Sequence, residues 1–346
     1  MKKNPVLAFT IGDCNGIGPE LILKVLQSPG ELNFTPVIFT TSNILSFYAN
    51  LLGLDASLEE LQDPSKLERD PDSSKIYYLE PSNLPDEIST SHSTPGIISA
   101  NAGLLAMRSV ETALDACQAG WADAMITAPI SKEAVNRAGY AIPGHTEFLA
   151  EKTGTSHFAM MLASGGLRVV PVTIHNPIKD VARLLTQEKL ETQIEVVNRS
   201  LQHDFGIGSP KIAVLGLNPH AGDGGVIGNE EEIVIGPAIH SQQNSGIRVE
   251  GPFPADGFFG TRSYGRYDAV LSMYHDQGLV PFKALTFNKG VNFTAGLPII
   301  RTSPDHGTAF SIAGQNRAET GSFREAVRLA EKLARNRIEK RKASYE

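Results

Sequence analysis

The chain has 346 residues, of which 41% are apolar and 20% are charged, and its formal net charge is −7 at pH 7. This length favours two domains over one compact core, and the composition is typical of an ordinary globular protein. The acidic balance argues against a nucleic-acid partner or a membrane-surface role, because both usually need a basic face.

The other general features favour a cytoplasmic protein. The sequence has only two cysteines, Cys14 and Cys117, which are too few for a disulfide scaffold, so we expect a reducing compartment. The first apolar stretch meets Asp13 too early and lacks a small-residue cleavage site, so no signal peptide is expected. No run of about 18 apolar residues is available to span a bilayer.

Strand-like and helix-like patterns alternate along the chain. An apolar run into a glycine turn predicts a strand over 5–12, and Pro19 suits the first turn of a helix over 19–28. A polar, proline-containing stretch over 59–75 is expected to be an exposed insertion. Further strands are predicted over 35–42, 75–81, 122–129, 157–164, 167–175, 211–220 and 269–273, and helices over 99–120, 189–206 and 322–342. This alternation predicts an α/β fold with largely parallel strands.

Three of the apolar strand patterns end in a histidine. They reach His175, His220 and His275, and each is expected to run straight into a loop, with a turn at Gly278 after the third. Ligands sit at the carboxyl ends of strands in open α/β sheets. Three imidazoles there predict a divalent-cation site with open positions for a substrate. The alternative is three unrelated surface or capping histidines.

Two further stretches suit an anion such as a phosphate. Gly144, His145 and Thr146 are predicted to lie just before a helical segment, whose free N–H groups favour an anion; the alternative is simple N-capping by Thr146. Farther on, Lys283, Asn292 and Arg301 stand among apolar and glycine residues. A phosphate would satisfy both cations, and the alternative is ion pairing with Asp or Glu elsewhere.

The glycine loop "TIGDCNGIGPE" does not fit the Rossmann dinucleotide fingerprint. Gly16 and Gly18 give G-x-G, but the third glycine position holds Leu21, and the strand over 35–42 does not end in an acidic residue. A dinucleotide would therefore be bound in another way. The candidate is "PDHGTAFSIAG", in which a turn precedes a possible helix. The turn comprises Gly307, Thr308 and Ala309.

Six motifs together resemble the PdxA family, the 4-hydroxythreonine-4-phosphate dehydrogenases of vitamin B6 biosynthesis. They are "GDCNGIGPE", "ITAPISKEAVNRAG", "GHTEF", "LNPHAGDGG", "MYHDQG" and "GVNFTAGLPIIRTSPDHGTA", and the similarity runs from about residue 5 to 330. Two departures occur. Cys14 and Asn15 stand where the family usually has Pro-Ala, which affects only local cofactor geometry. The insertion over 59–75 is longer than in many relatives.

The resemblance implies an isocitrate/isopropylmalate dehydrogenase-like fold with two α/β domains and a cleft between them. Residues 1–138 and 285–346 would form a discontinuous domain that carries the cofactor loop. Residues 139–284 would form a central domain that carries the metal histidines and the dimer contacts. The resemblance also implies a homodimer in which each active site is built partly by the partner subunit.

The resemblance implies a role for each candidate residue. The metal ligands are His175, His220 and His275. The contacts to a small phosphorylated substrate are His145, Thr146, Lys283, Asn292 and Arg301. The loop that binds NAD or NADP comprises Asp305, His306, Gly307, Thr308 and Ala309. Imidazole ligands suit zinc, cobalt or manganese, and magnesium less well.

The implied reaction is oxidation of 4-phosphooxy-L-threonine at C3, followed by decarboxylation to 3-amino-2-oxopropyl phosphate. A metal on the C3 oxygen favours the alkoxide and later stabilises the enolate that remains when carbon dioxide leaves. A proton acceptor is also needed, and Asp256 and Asp276 are the candidates. Asp256 has the alternative of a turn residue before Gly257, and Asp276 that of orienting His275 or capping the loop.

Three other functions are open at this point. A paralogue could oxidise a phosphorylated sugar acid such as 4-phospho-threonate. A metal-dependent hydrolase with a three-histidine site would act without NAD(P), but gives Lys283, Arg301 and the "DHGTA" loop no joint purpose. A non-catalytic protein that binds phosphorylated metabolites would not need three metal ligands.

Overall fold

The computed structural model describes residues 4–27, 32–54, 58–67, 75–90 and 93–343. The chain forms two compact units: unit 1 contains the chain up to Lys152 and from Ile299 onward, and unit 2 spans Thr153–Pro298. Unit 1 is made of two separate chain segments, as the predicted domain is. The predicted boundaries, after residues 138 and 284, lie earlier in the chain than those between the two units, after Lys152 and Pro298. His145 and Thr146 consequently fall in unit 1, and Asn292 falls in unit 2.

The regular elements follow one another in a strand–helix alternation. The strands are β1 (Val6–Thr10), β2 (Thr35–Phe39), β3 (Leu58–Glu60), β4 (Ile76–Leu79), β5 (Ala124–Thr127), β6 (Ala159–Ser164), β7 (Leu167–Thr173), β8 (Lys211–Leu215), β9 (Arg248–Phe253), β10 (Ala269–Tyr274), β11 (Val291–Ala295) and β12 (Arg301–Pro304). The α-helices are α1 (Gly18–Leu26), α2 (Ser42–Leu52), α3 (Asp86–Ser89), α4 (Ala100–Gln118), α5 (Lys132–Arg137), α6 (His145–Lys152), α7 (Val181–Leu184), α8 (Gln187–His203), α9 (Gly236–Asn244), α10 (Ala255–Gly260), α11 (His275–Thr286) and α12 (Gly321–Ala343). Short 3₁₀-helices occur at Pro64–Lys66, Ile178–Asp180, Pro219–Gly222, Ser263–Arg266 and Phe310–Ile312, and a π-helical turn at Glu231–Ile235.

The sheet of unit 1 has the strand order β3-β4-β2-β1-β5-β12, and these neighbours pair in parallel. Every residue of β1 and β2 is buried. A parallel sheet is covered on both faces, which is why its strands are continuous apolar runs rather than alternating ones. The helix α12 packs on this sheet, where the Thr302 hydroxyl donates to the Ala326 carbonyl at 2.9 Å.

The sheet of unit 2 has the order β11-β6-β7-β10-β8-β9 and is mixed. The strands β7, β10, β8 and β9 pair in parallel, whereas β6 is antiparallel to both β11 and β7. The predicted strand pair over 157–175 is confirmed as a hairpin, because the two-residue turn Gly165–Gly166 joins β6 to β7 and Gly165 has a φ of 55°. Among the described residues, no helix is both long and apolar enough to cross a membrane.

Two predictions about local structure are wrong. The stretch over 59–75 is not simply an exposed insertion, because Leu58–Glu60 pairs in parallel with β4 and Leu61 is buried; residues 68–74 lie outside the described residues. Gly278 is not in a turn but inside α11. A Cβ atom there would lie 2.4 Å from the Ser272 hydroxyl and 2.6 Å from the Val169 side chain, so glycine lets this helix approach the sheet.

Candidate functional site

Three neighbouring parallel strands of unit 2 bring the predicted metal histidines to one edge of the sheet. The middle strand is β10, and His275 follows it directly as the first residue of α11. On either side, His175 lies two residues beyond the end of β7, and His220 lies five residues beyond the end of β8. The ring centroids of His175 and His275 are 6.3 Å apart. The expected loop after His275 is wrong, because a helix begins there.

The side chain of Asp276 contacts the ring of its neighbour His275. The distance from the Asp276 Oδ1 atom to the His275 Nδ1 atom is 2.7 Å. A carboxylate acceptor at Nδ1 fixes the ring proton on that nitrogen and leaves Nε2 with its lone pair for a cation. This is the geometry expected of a group that orients a metal ligand.

His220 begins a left-handed stretch of backbone. Six consecutive residues, His220 to Gly225, have φ angles between 45° and 87°. His220, Ala221 and Asp223 are not glycines, and a left-handed conformation costs roughly 1–2 kcal/mol for an ordinary L residue. The prediction of a strand up to residue 220 is wrong beyond Leu215, because β8 ends there and a 3₁₀-helix begins at Pro219.

The buried Glu231 and the half-buried Asn218 and Gln277 support this segment, and the sequence did not indicate a role for any of them. The Asn218 backbone N–H donates to Glu231 Oε1 at 2.7 Å, and the Asn218 side-chain amide donates to Glu231 Oε2 at 2.9 Å. The Gln277 side-chain amide, two residues beyond His275, donates to the Gly216 carbonyl at 2.6 Å. The middle glutamate of the run Glu230–Glu232 and the Gln in "MYHDQG" are weak sequence signals, since their partners are distant along the chain.

The donor atoms at this edge suit a divalent cation, but one chain does not gather a complete ligand set. Each ligating nitrogen lies about 2.0–2.1 Å from a bound zinc ion, so rings as close as those of His175 and His275 can share one cation. Across the described ranges of this single chain, no three His, Cys, Asp or Glu side chains are grouped closely enough to hold a metal ion. The three-histidine site stays a prediction.

Arg301 is the centre of a second polar cluster, in unit 1. Its side chain is buried on β12 and donates from Nε and from a terminal nitrogen to the Thr127 hydroxyl, at 3.0 and 2.8 Å. Burial lowers the pKa of Arg301 to about 10, and the negative charge of Glu147 offsets part of that effect. A guanidinium held in the interior by a neutral hydroxyl is suited to an anionic ligand.

His145 and Thr146 belong to the same cluster through α6, which begins at His145. The prediction that His145 and Thr146 lie just before a helix is therefore wrong, because both lie in its first turn, and N-capping by Thr146 is wrong for the same reason. Burial lowers the pKa of His145 well below 6.5, and the positive charge of Arg301 lowers it further. The His145 Nε2 atom is buried without a hydrogen-bond partner among the described residues. A neutral imidazole with an unused ring nitrogen can contact a ligand there.

The remaining substrate and proton-transfer candidates lie in unit 2. Lys283 is exposed on α11, and Asn292 lies on β11 opposite Leu162. The Asn292 Oδ1 atom is buried and has no partner within the described residues, so a ligand that donates a hydrogen bond would satisfy it. Asp256 is exposed in the first turn of α10. The alternative, a turn residue before Gly257, is therefore wrong, because both residues belong to the helix.

The predicted cofactor loop packs against the first glycine loop of unit 1. The Ile17 N–H donates to the Thr308 carbonyl at 3.0 Å. A Cβ atom at Gly16 would lie 2.9 Å from the same carbonyl oxygen, so this close approach needs glycine. The Asp305 N–H donates to the Ser322 hydroxyl at 2.9 Å, which ties the other end of the loop to α12.

Other details of the cofactor loop differ from the expectation. His306 and Gly307 form its exposed tip, and the His306 Nδ1 atom lies 3.2 Å from the Gly307 carbonyl oxygen. Ala309 has a φ of 44°, and only the three-residue 3₁₀-helix Phe310–Ile312 follows it. The expected helix is therefore much shorter, because the left-handed Ala309 turns the chain.

Cys14 and Asn15, the two residues that depart from the family pattern, lie in the first glycine loop, which contacts the predicted cofactor loop. The side-chain amide of Asn15 donates to the Ile97 carbonyl at 2.8 Å, and its Oδ1 accepts from the Thr94 N–H at 2.7 Å. Cys14 is buried, and burial raises the pKa of its thiol to about 12. The thiol of Cys117 on α4 likewise has a pKa of about 12, chiefly through burial. Asn15 thus fastens the segment before α4 to the glycine loop.

The fold and these motifs match known proteins over nearly the whole chain. The family model described as "Pyridoxal phosphate biosynthetic protein PdxA" matches residues 33–330. A 4-hydroxythreonine-4-phosphate dehydrogenase of Prosthecochloris aestuarii is 46% identical over 342 residues, which cover 96% of this chain and 98% of that protein. A protein of Oceanobacillus iheyensis, provisionally named D-threonate 4-phosphate dehydrogenase, is 40% identical to this chain. The match covers 96% of this chain and 99% of that protein.

A solved structure agrees with these sequences. The crystal structure of 4-hydroxythreonine-4-phosphate dehydrogenase from Klebsiella pneumoniae has a TM-score of 0.83 and 37% identity, and the match covers 96% of this chain and 99% of that one. The sequence resemblance and the predicted fold class are confirmed. This chain is a dehydrogenase and belongs to the PdxA family of pyridoxal phosphate biosynthetic proteins.

Proposed function

We propose that this enzyme oxidises 4-phosphooxy-L-threonine at C3 with NAD or NADP and a divalent metal ion. Decarboxylation of the oxidised substrate then gives 3-amino-2-oxopropyl phosphate, for pyridoxal 5'-phosphate biosynthesis. The observation that carries the proposal is the placement of His175, His220 and His275 beyond the ends of three adjacent parallel strands. The naming of close relatives as 4-hydroxythreonine-4-phosphate dehydrogenases supports the choice of substrate.

His175, His220 and His275 would hold the metal ion, and their imidazoles suit zinc, cobalt or manganese better than magnesium. The bound cation would supply Lewis-acid chemistry at the C3 oxygen, while the nicotinamide would accept the hydride. Asp276 keeps the His275 ring in the tautomer that a cation requires. Because Asp276 is engaged in this way, Asp256 is the better candidate for the proton acceptor.

The proposed contacts to the phosphorylated substrate are His145, Thr146 and Arg301 in unit 1, and Lys283 and Asn292 in unit 2. The buried Arg301 guanidinium would bind an anionic group with charge-assisted hydrogen bonds. His145 is neutral at pH 7 and so can use its buried Nε2 atom without adding a second buried charge. The unused Asn292 Oδ1 would accept from a donor such as the substrate amino group.

The proposed dinucleotide loop comprises Asp305, His306, Gly307, Thr308 and Ala309. Its contact with the Gly16 loop and its tie to Ser322 hold its backbone in a fixed shape, as an adenosine-binding loop requires. Neither NAD nor NADP is preferred by these contacts. The two reduced thiols support a cytoplasmic location.

We propose a homodimer in which the partner subunit completes the metal ligand set. One chain brings the His175 and His275 rings together but gathers no three ligands within its described residues. Exposed apolar side chains also follow each histidine along the chain. They are Ile178, Val226 and Val280, which are 69%, 83% and 62% exposed. Exposed apolar residues around a polar centre are typical of a surface that a protein partner covers.

A second candidate is oxidation of a phosphorylated sugar acid, 4-phospho-threonate. The observation that favours it is the Oceanobacillus iheyensis relative, which is 40% identical and named for that substrate. The two substrates differ in the C2 substituent, an amino group in one and a hydroxyl in the other. Both would use the same metal and phosphate contacts.

The proposed function is tested by following NADH or NADPH formation with each substrate and a divalent metal ion. We expect a higher kcat/KM with 4-phosphooxy-L-threonine than with 4-phospho-threonate, and loss of turnover after metal chelation. The opposite substrate preference would select the second candidate. Release of phosphate without nicotinamide reduction would instead indicate a hydrolase and contradict both.

Mixing inactive variants tests the shared ligand set. We expect His175→Ala and His220→Ala each to be inactive alone but to regain part of the activity when unfolded together and refolded as mixed dimers. In such a dimer, one site has all three histidines. His175→Ala mixed with His275→Ala is the control and should stay inactive, because these two rings lie together in one chain. Recovery in the control, or none in the test pair, would contradict the shared site.

The buried neutral state of His145 predicts a pH dependence of stability. The folded pKa lies below the unfolded value of about 6.5. The unfolded chain therefore binds the extra proton as the pH falls below that value, and stability falls by up to roughly 1.4 kcal/mol per pH unit. His145→Gln should remove this part of the loss in urea unfolding at about pH 7.5 and about pH 5.5. The exposed His203 provides the control His203→Gln. Equal pH dependence in both variants would contradict the assignment.

The contact between Asp276 and His275 predicts the phenotype of Asp276→Asn. An Asn oxygen can still accept from His275 Nδ1, but it polarises the ring less, so metal affinity should fall by about 10- to 100-fold. Turnover should recover at saturating metal. A loss of about 10²-fold or more that persists at saturating metal would identify Asp276 as the general base. Asp256→Asn, the matched variant, should show that persistent loss.

A further inference from the structure

We propose that Glu231 is a positioning residue that holds the His220 loop, residues 216–228, in its left-handed shape and so aims His220 at a divalent cation. The inference rests on the proposed role of His220 as a metal ligand. Glu231 lies in the π-helical turn that follows the loop and is only 5% exposed. It does not belong to any of the motifs that suggested the site.

The carboxylate of Glu231 accepts two hydrogen bonds from Asn218, which lies two residues before His220. Its Oε1 accepts from the Asn218 backbone N–H at 2.7 Å, and its Oε2 accepts from the Asn218 side-chain amide at 2.9 Å. In the part of the chain that the structure describes, both oxygens bind N–H donors rather than an ammonium or guanidinium group. Hydrogen bonds to an ionised acceptor are the strong ones, so this pair of contacts can support a strained backbone.

The loop is built around this carboxylate. A Cβ atom at Gly222 would lie 2.7 Å from Glu231 Oε2, and one at Gly216 would lie 3.0 Å from Glu231 Oε1. A Cβ atom at Gly228 would lie 2.4 Å from the Asn218 amide nitrogen. The glycines leave room for the carboxylate and its partner, which therefore occupy the interior of the loop as a small polar core.

The same loop is tied to the helix that carries His275. The Gly216 carbonyl accepts from the Gln277 side-chain amide at 2.6 Å, and Gln277 Oε1 accepts from the Met273 N–H at 2.7 Å. The start of the loop is thus fixed relative to β10 and α11. Glu231 fixes the following residues up to His220, so the two contacts together set the direction in which the imidazole leaves the sheet.

A carboxylate is required at this position because both of its partners are donors. Glu231→Gln has nearly the same shape, but its NH₂ group would face an N–H donor of Asn218. One contact would become a donor–donor clash, and the charge that strengthens the other contact would be lost. The left-handed residues His220 and Ala221 would then lose their support and could return to ordinary backbone angles.

The test uses the full chain without metal and then with Co²⁺ alone. In metal-free Glu231→Gln, hydrogen–deuterium exchange of the amides in the His220 loop should accelerate by about 10-fold or more, while the far-ultraviolet circular dichroism stays unchanged. Titration with Co²⁺, followed by its visible absorption, should show affinity reduced by about 10- to 100-fold. The matched control is Glu232→Gln, since Glu232 is the next residue in the same turn and its side chain is exposed.

A rescue variant separates backbone support from any other effect. Ala221 has a φ of 52°, and glycine adopts that angle without cost. Adding Ala221→Gly to Glu231→Gln should therefore restore part of the exchange protection and of the Co²⁺ affinity. If Glu231→Gln does not fold, Asn218→Ala keeps the backbone donor but removes the side-chain amide, which donates to Glu231 Oε2 and also to Glu230 Oε2, and it should produce the same two changes in milder form. Glu230→Gln is its control and should change neither the exchange nor the Co²⁺ affinity.

The outcomes distinguish this inference from the proposed function. Exchange rates and Co²⁺ affinity in Glu231→Gln equal to those of Glu232→Gln would overturn the role of Glu231. Unchanged Co²⁺ affinity in His220→Ala would overturn the metal site itself. In that case, faster loop exchange in Glu231→Gln would still show that the carboxylate holds the loop, but its role toward a cation would be lost.

Discussion

Parallel hydrogen bonding among β7, β10 and β8 is the constraint on which the candidate metal centre depends. Strands that pair in parallel leave a sheet in the same direction, so the residues that follow them gather at one edge. Three histidines from distant parts of the sequence reach a common region in this way. An antiparallel β10 would send His275 to the opposite edge. The antiparallel strand β6 pairs with β7 on the side opposite β10, so it does not interrupt the three parallel strands.

In each unit, polar side chains fasten loops that lie outside the regular strands and helices. Glu231 and Gln277 fasten the His220 loop in unit 2, and Asn15 fastens the segment before α4 in unit 1. Each of these side chains makes two contacts to neighbouring backbone or amide groups. Glycines such as Gly16 and Gly222 provide the space for the close approaches. A rigid sheet and individually fastened loops are the arrangement that a site with fixed ligands needs.

Much of the fold could be predicted from the sequence, because buried parallel strands are apolar runs and β1, β7 and β10 read that way. The histidines were found for the same reason, since each stands where an apolar run gives way to polar residues. The left-handed shape beyond His220 could not be predicted, because the loop's contacts to Glu231 form only in the folded chain. The sequence predicts a turn at Gly278, because the close approach of Ser272 and Val169 that requires glycine there arises only in the folded structure. The short strand β3 is largely polar and exposed, so no apolar pattern in the sequence predicts it.

The burial of Cys14 and the partial burial of Cys117 favour the protonated form of both thiols. The thiolate is the form that reacts with peroxides and electrophiles. Because burial raises the pKa of both Cys14 and Cys117 to about 12, the thiolate is a rare form of either residue at pH 7. Alkylating agents and mild oxidants therefore have almost no reactive sulfur to attack in this chain.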